Sequence, residues 1–150
     1  ARGDHPAKGL WMQGREGTGK THIAIAILKE IIARGYTGLY WNVPELFLEL
    51  RRLMAEKAEL TEADLFDEAL RADLLVLDDL GAERTSDYVL DRLYLMINGR
   101  YQNDKATIIT TNRTKEELRT QVGPRILSRI CEMCVELEFP EGDYRRLNMR

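Results

Sequence analysis

Three glycines within six positions, Gly14, Gly17 and Gly19, run straight into Lys20 and Thr21. The apolar run Leu10-Trp11-Met12 precedes them, and Ile23-Ala24-Ile25-Ala26-Ile27-Leu28 follows. Glycine weakens the interior of a helix or a strand, so this cluster must be a bend between two regular elements. The stretch GREGTGKT fits G-x-x-x-x-G-K-[ST] at every fixed position, in the strand–loop–helix setting that gives the pattern its meaning. Glycines there let successive backbone N–H groups turn inward around a phosphate, which also meets the positive end of the following helix. Gly14, Arg15, Glu16, Gly17, Thr18, Gly19, Lys20, Thr21 and His22 are therefore the nucleotide-binding candidates. Lys20 is expected at the β- and γ-phosphates and Thr21 in a Mg²⁺ shell. The alternative is a glycine-rich turn that binds nothing.

The remaining pattern alternates. Ile23, Ile27 and Ile31 at four-residue spacing, ending at Arg34-Gly35, predict a helix with an apolar face and a glycine stop. Residues 38–43, GLYWNV, predict a strand, and Pro44 suits the first turn of a helix carrying Leu46, Phe47, Leu50 and Leu53. Residues 61–71 predict a shorter helix opened by Thr61. Leu74-Leu75-Val76-Leu77, ending on Asp78 and Asp79, predicts a strand covered on both faces. A helix from about Ser86 to Tyr101, a strand over 106–111 and a last strand over 135–139 complete the series. Strands separated by helices mean an α/β fold with a mostly parallel sheet and helices on both faces. Ligands of such sheets bind at the carboxyl ends of the strands, where the glycine bend, the two aspartates and Asn112 all fall.

Each of these groups has an ordinary reading beside the chemical one. Asp78 is placed to hold a metal through water, and Asp79 to orient and deprotonate an attacking water, although aspartate also begins turns. Asn112 either holds that water or the γ-phosphate, or caps the helix that begins near Thr114. Arg125 and Arg129 share a helical face opposite Ile126, Leu127 and Ile130. They are either a solvated pair or a cation that enters a neighbouring subunit's site.

Composition narrows the class. The 150 residues are expected to form one domain, 1–150, with one sizeable core. A formal charge of −3 argues against coating nucleic acid by bulk positive charge. No apolar run approaches the roughly 20 residues that cross a bilayer, and ARGDHPAKG lacks the apolar segment of a signal peptide, so a cytoplasmic setting is expected. Cys131 and Cys134 form a single C-x-x-C pair, read as free, buried thiols rather than half of a zinc site.

In order, AKGLWMQGREGTGKTH, LYWNVPELFLELR, LLVLDDLGAER, KATIITTNRT and EGDYRR resemble the AAA+ ATPases, specifically bacterial replicative helicase loaders of the DnaC/DnaI type, with IstB transposition ATPases as near relatives. The resemblance implies a five-stranded parallel sheet in the order 5-1-4-3-2 and an absent or truncated lid. It also implies ATP and Mg²⁺ as ligands and assembly into a ring or spiral. Gly14 to Thr21 match the Walker A loop, Asp78 and Asp79 the Walker B acids, with Asp78 and Thr21 at the metal. Asn112 matches sensor 1, Arg129 the arginine finger acting in trans, and Arg145 an arginine placed like a second sensor. The implied partners are single-stranded DNA and a replicative helicase, the latter gripped by an N-terminal segment for which this chain has no room. Such a piece is expected to be monomeric by itself. Asp79 stands where most of the family has Glu, which implies slow, switch-like hydrolysis. Clusters at Arg51, Arg52 and Lys57, or Arg113, Lys115 and Arg119, offer DNA contacts but adjoin acids, so a salt-bridged face competes with that reading. A small-molecule kinase and an interaction module without useful turnover are the readings from other classes.

Overall fold

The computed structural model describes residues 9–56, 59–82 and 86–140. In chain order the elements are β1 (Gly9–Gln13), α1 (Lys20–Ala33), β2 (Gly38–Asn42), α2 (Val43–Ala55), α3 (Glu59–Arg71), β3 (Leu74–Asp78), α4 (Asp87–Gln102), β4 (Ala106–Thr111), α5 (Lys115–Val122), α6 (Pro124–Met133) and β5 (Cys134–Glu138). The five strands lie in the order β2-β3-β4-β1-β5, which is the expected order read from the other edge, and every pairing is parallel.

Alternation along each strand splits the core into two layers. Met12, Leu74, Val76 and Ile108 point to one face and meet Ala24 and Leu28 of α1. Trp11, Leu75, Leu77 and Ile109 point to the other face, where α2, α4, α5 and α6 contribute Phe47, Leu93, Ile97, Leu118 and Ile130. β3 is buried at all five positions, as its unbroken apolar run requires when helices cover both faces.

Local chemistry sets the helix ends. The Asn42 side chain accepts the N–H of Glu45 at the start of α2, with proline in the first turn, and Ser86 accepts that of Val89 at the start of α4. α3 begins at Glu59 rather than Thr61, because Glu59 and Leu60 are good helix formers and carry the helix through the residue expected to cap it. β5 starts at Cys134, one residue early, directly off the end of α6. Cys134 is buried and pushed up to about 12 by that burial, but Cys131 is exposed, which corrects the expectation of two buried thiols. Both are free.

At the amino end of the sheet, away from the strand tips, Arg100 of α4 is fully buried. Its guanidinium donates to the carbonyls of Ala69, Ala72 and Ala106 and to the Thr107 hydroxyl, tying α3, α4 and β4 together. Burial brings its pKa down to about 10.

Candidate nucleotide site

The loop after β1 reaches α1 through two left-handed glycines, Gly17 at φ 78° and Gly19 at φ 90°. A β-carbon on Gly19 would meet nothing within 4 Å, so glycine is required there by backbone conformation and not by crowding. Gly19 makes no side-chain cap, which leaves the first N–H groups of α1 facing the loop. The Lys20 ammonium is folded back into that loop. It donates to the carbonyls of Gly14 at 2.6 Å and Arg15 at 2.8 Å, and to the Thr18 hydroxyl at 3.2 Å. Thr18 in turn donates to the Arg15 carbonyl at 2.9 Å. Arg15, Glu16 and His22 are exposed around the loop and the first turn of α1.

Asp78, at the tip of β3 and only 4% exposed, is held from three sides. Its Oδ1 accepts the hydroxyls of Thr21 at 2.9 Å and Thr110 at 2.5 Å, and its Oδ2 accepts the Tyr40 phenol at 2.6 Å. Burial, and then the Asp78 carboxylate, push the Tyr40 phenol well above its ordinary pKa, so it stays a donor. Asp79 adopts a left-handed backbone at φ 65°, unusual for a residue with a side chain, and its N–H donates to Thr110 Oγ1 at 2.9 Å. Burial raises the Asp79 carboxyl above the usual carboxylate range, and the charges of Asp78 and Glu16 add to this, against Lys20 and Arg113. The Asn112 amide donates to Asp79 Oδ1 at 3.5 Å.

Asn112 is not the helix cap. Thr114 caps α5, its hydroxyl accepting the Glu117 N–H while Glu117 accepts the Thr114 N–H, a reciprocal capping box. Farther along β4, Thr111 donates to the Leu80 carbonyl at 2.7 Å and Arg113 Nε to the Gly81 carbonyl at 3.0 Å, so the loops after β3 and β4 are laced together.

The structure thus brings Lys20, Thr21, Asp78, Asp79 and Asn112 to adjoining strand tips. Arg129 is not among them: it lies over the Tyr101 ring at 4.6 Å and pairs with Glu132 at 3.3 Å, as Arg125 lies over Tyr94 at 4.0 Å beside Asp91. Arg145 lies outside the described residues. Of the basic clusters, Arg52 is bound to Glu49 and Glu56 as a salt-bridged face, and Lys57 lies outside the described residues. Tyr40 and Thr110 were not foreseen. Tyr40 lies two positions before the end of β2 and Thr110 one before the end of β4, and that both reach Asp78 is readable only once the neighbouring strands are known.

A divalent ion fits this donor set in one way. No group of three or more His, Cys, Asp or Glu side chains gathers among the described residues. One buried carboxylate 2.9 Å from a hydroxyl suits Mg²⁺, which keeps most of its waters and shares phosphate oxygens.

Comparison with known proteins gives the family. The model of the family described as IstB-like ATP binding protein matches residues 5–149. The replicative helicase loader DnaC of Escherichia coli K12 is 28% identical over 78% of this chain and 47% of its own length. The replicative helicase loader DnaI of Bacillus subtilis is 28% identical over 93% of this chain and 48% of its own. A crystal structure of the DnaC helicase loader superposes with a TM-score of 0.78 at 34% identity, covering 92% of this chain and 82% of that one. The chain spans about half the length of the curated relatives it matches.

Proposed function

The chain belongs to the family of IstB-like ATP-binding proteins, and from that premise we propose that it is the AAA+ ATPase core of a replicative helicase loader. The observation that carries the reading is the hydrogen bond from Thr21 to Asp78, which joins the glycine loop to the tip of β3 beside Lys20. The burial of Lys20 and Asp78 together at the carboxyl ends of the strands supports the same reading.

In this reading the loop N–H groups and Lys20 hold the phosphates of ATP. Lys20 exchanges the carbonyls of Gly14 and Arg15 for phosphate oxygens, a swap of like for like in hydrogen bonds that gains an opposite charge. Thr21 and Asp78 would hold Mg²⁺, which would neutralise charge on the phosphates. Asp79 takes the proton of the attacking water, and the burial that raises its pKa makes its carboxylate a stronger base. Asn112 aligns the carboxylate it touches. The Asp79 side chain is shorter than glutamate, so turnover is slow and the ATP state acts as a switch. Arg129 serves a neighbouring protomer in a ring or spiral, and Arg145 is the second sensor. ATP binding orders that assembly, single-stranded DNA is engaged, and hydrolysis releases the helicase in the cytoplasm. The second reading, suggested by the family's description as IstB-like, is an ATPase that would assemble on DNA and direct a transposase.

Lys20→Ala is expected to weaken binding of a fluorescent ATP analogue by at least tenfold, and unchanged affinity overturns the phosphate cradle. Loading of a replicative helicase onto circular single-stranded DNA by the full-length protein, with ATP and without, separates the loader from the transposition ATPase.

A further inference from the structure

Two of the three groups that fix Asp78 come from elements the nucleotide reading already uses, the Thr21 hydroxyl from α1 and the Thr110 hydroxyl from β4, and both reach the same oxygen, Oδ1. The third, Tyr40, comes from the edge strand β2, pairs in register with Val76, and reaches diagonally to Asp78 Oδ2 at 2.6 Å. Tyr40 is 37% exposed, more than a tyrosine placed to fill the core would be. Among the described residues Oδ2 has no other hydrogen-bond donor. The terminal torsion of an aspartate is broad, so three donors divided between two oxygens fix the angle of its carboxylate plane.

We propose that Tyr40 is a positioning residue of the magnesium site: its hydroxyl holds one oxygen of Asp78 so that the carboxylate plane stays fixed with the other oxygen beside Thr21. This rests on the nucleotide reading above and adds to it a group outside the loop and strand tips. In Tyr40→Phe the ring and its packing stay, while Oδ2 is left to water and the carboxylate is free to turn. The metal then meets an unoriented ligand, a change that costs metal sites about 10–100-fold in affinity.

The test is binding of a fluorescent ATP analogue across a Mg²⁺ series and in EDTA, with wild type, Tyr40→Phe and the exposed-tyrosine control Tyr36→Phe, all checked for equal melting. The expected result is equal affinity in EDTA, a Mg²⁺-dependent gain in wild type and Tyr36→Phe, and about tenfold more Mg²⁺ needed for that gain in Tyr40→Phe. Coincident Mg²⁺ curves for Tyr40→Phe and wild type overturn the role of Tyr40 and leave the nucleotide site standing. Weaker binding of Tyr40→Phe already in EDTA overturns it too, because the hydroxyl would then serve the loop itself. A wild type that binds nucleotide with no response to Mg²⁺ removes the metal site and Tyr40 with it, and a wild type that binds no nucleotide removes the underlying reading.

Discussion

Asp79 shows at the scale of one residue what a reactive group costs its own fold. Its carboxylate is partly desolvated beside Asp78 and Glu16, on a left-handed backbone, so the folded state favours the protonated form. The sign follows. A folded pKa above the unfolded one leaves the protein unpenalised at acid pH, where the group is protonated in both states. Stability is then lost as pH rises through the unfolded pKa towards the raised folded one. Asp79→Asn is therefore expected to raise the melting temperature at pH 7 by about 1–2 °C, discounted for solvent screening, with the gain vanishing in acid, while ATP turnover falls. Thermal melts at several pH values check this, and a gain that grows in acid contradicts it. The residues of this site were mostly legible beforehand: glycine spacing named the loop and Lys20, and a buried apolar run ending in acids named Asp78 and Asp79. Tyr40 was not, because its partner lies 38 residues away and only strand register brings them together.

Among the elements, short apolar and β-branched runs set between helices of four-residue spacing foretold every strand and the sheet's parallel character. What they missed was polar. Arg100 looks like a surface arginine near the end of a helix, yet it is the clasp between α3, α4 and β4, and nothing in a helical period announces backbone carbonyls waiting at the other end. Replacing it strands three buried carbonyls at about 1–3 kcal/mol each, partly offset where water enters. Arg100→Met is thus expected to lower unfolding stability by on the order of 3 kcal/mol in urea titrations. Nucleotide affinity in native buffer should stay within about twofold, because the clasp sits at the opposite end of the strands from the loop. An unchanged urea midpoint would show that the clasp contributes little.

For the whole molecule the prediction concerns assembly. The loop, Thr21, Asp78 and Asp79 lie together at the strand tips, whereas Arg129 rests on α4 and touches none of them. Arg129→Ala is expected to leave ATP-analogue binding by the isolated chain unchanged and to lower turnover of the assembled full-length protein by on the order of 100-fold or more. Wild-type turnover in that variant would count against a site shared between protomers. The arrangement of this surface has one more consequence. Tyr94 and Tyr101 are two helical turns apart on α4, and the guanidinium carbons of Arg125 and Arg129 stand over their rings at 4.0 and 4.6 Å. A free arginine side chain surrenders about 2 kcal/mol of rotamer freedom when it is pinned. Here part of that loss falls within the chain itself, so in the proposed assembly a neighbouring protomer would meet two cations already resting on α4 and would have less of their freedom left to still.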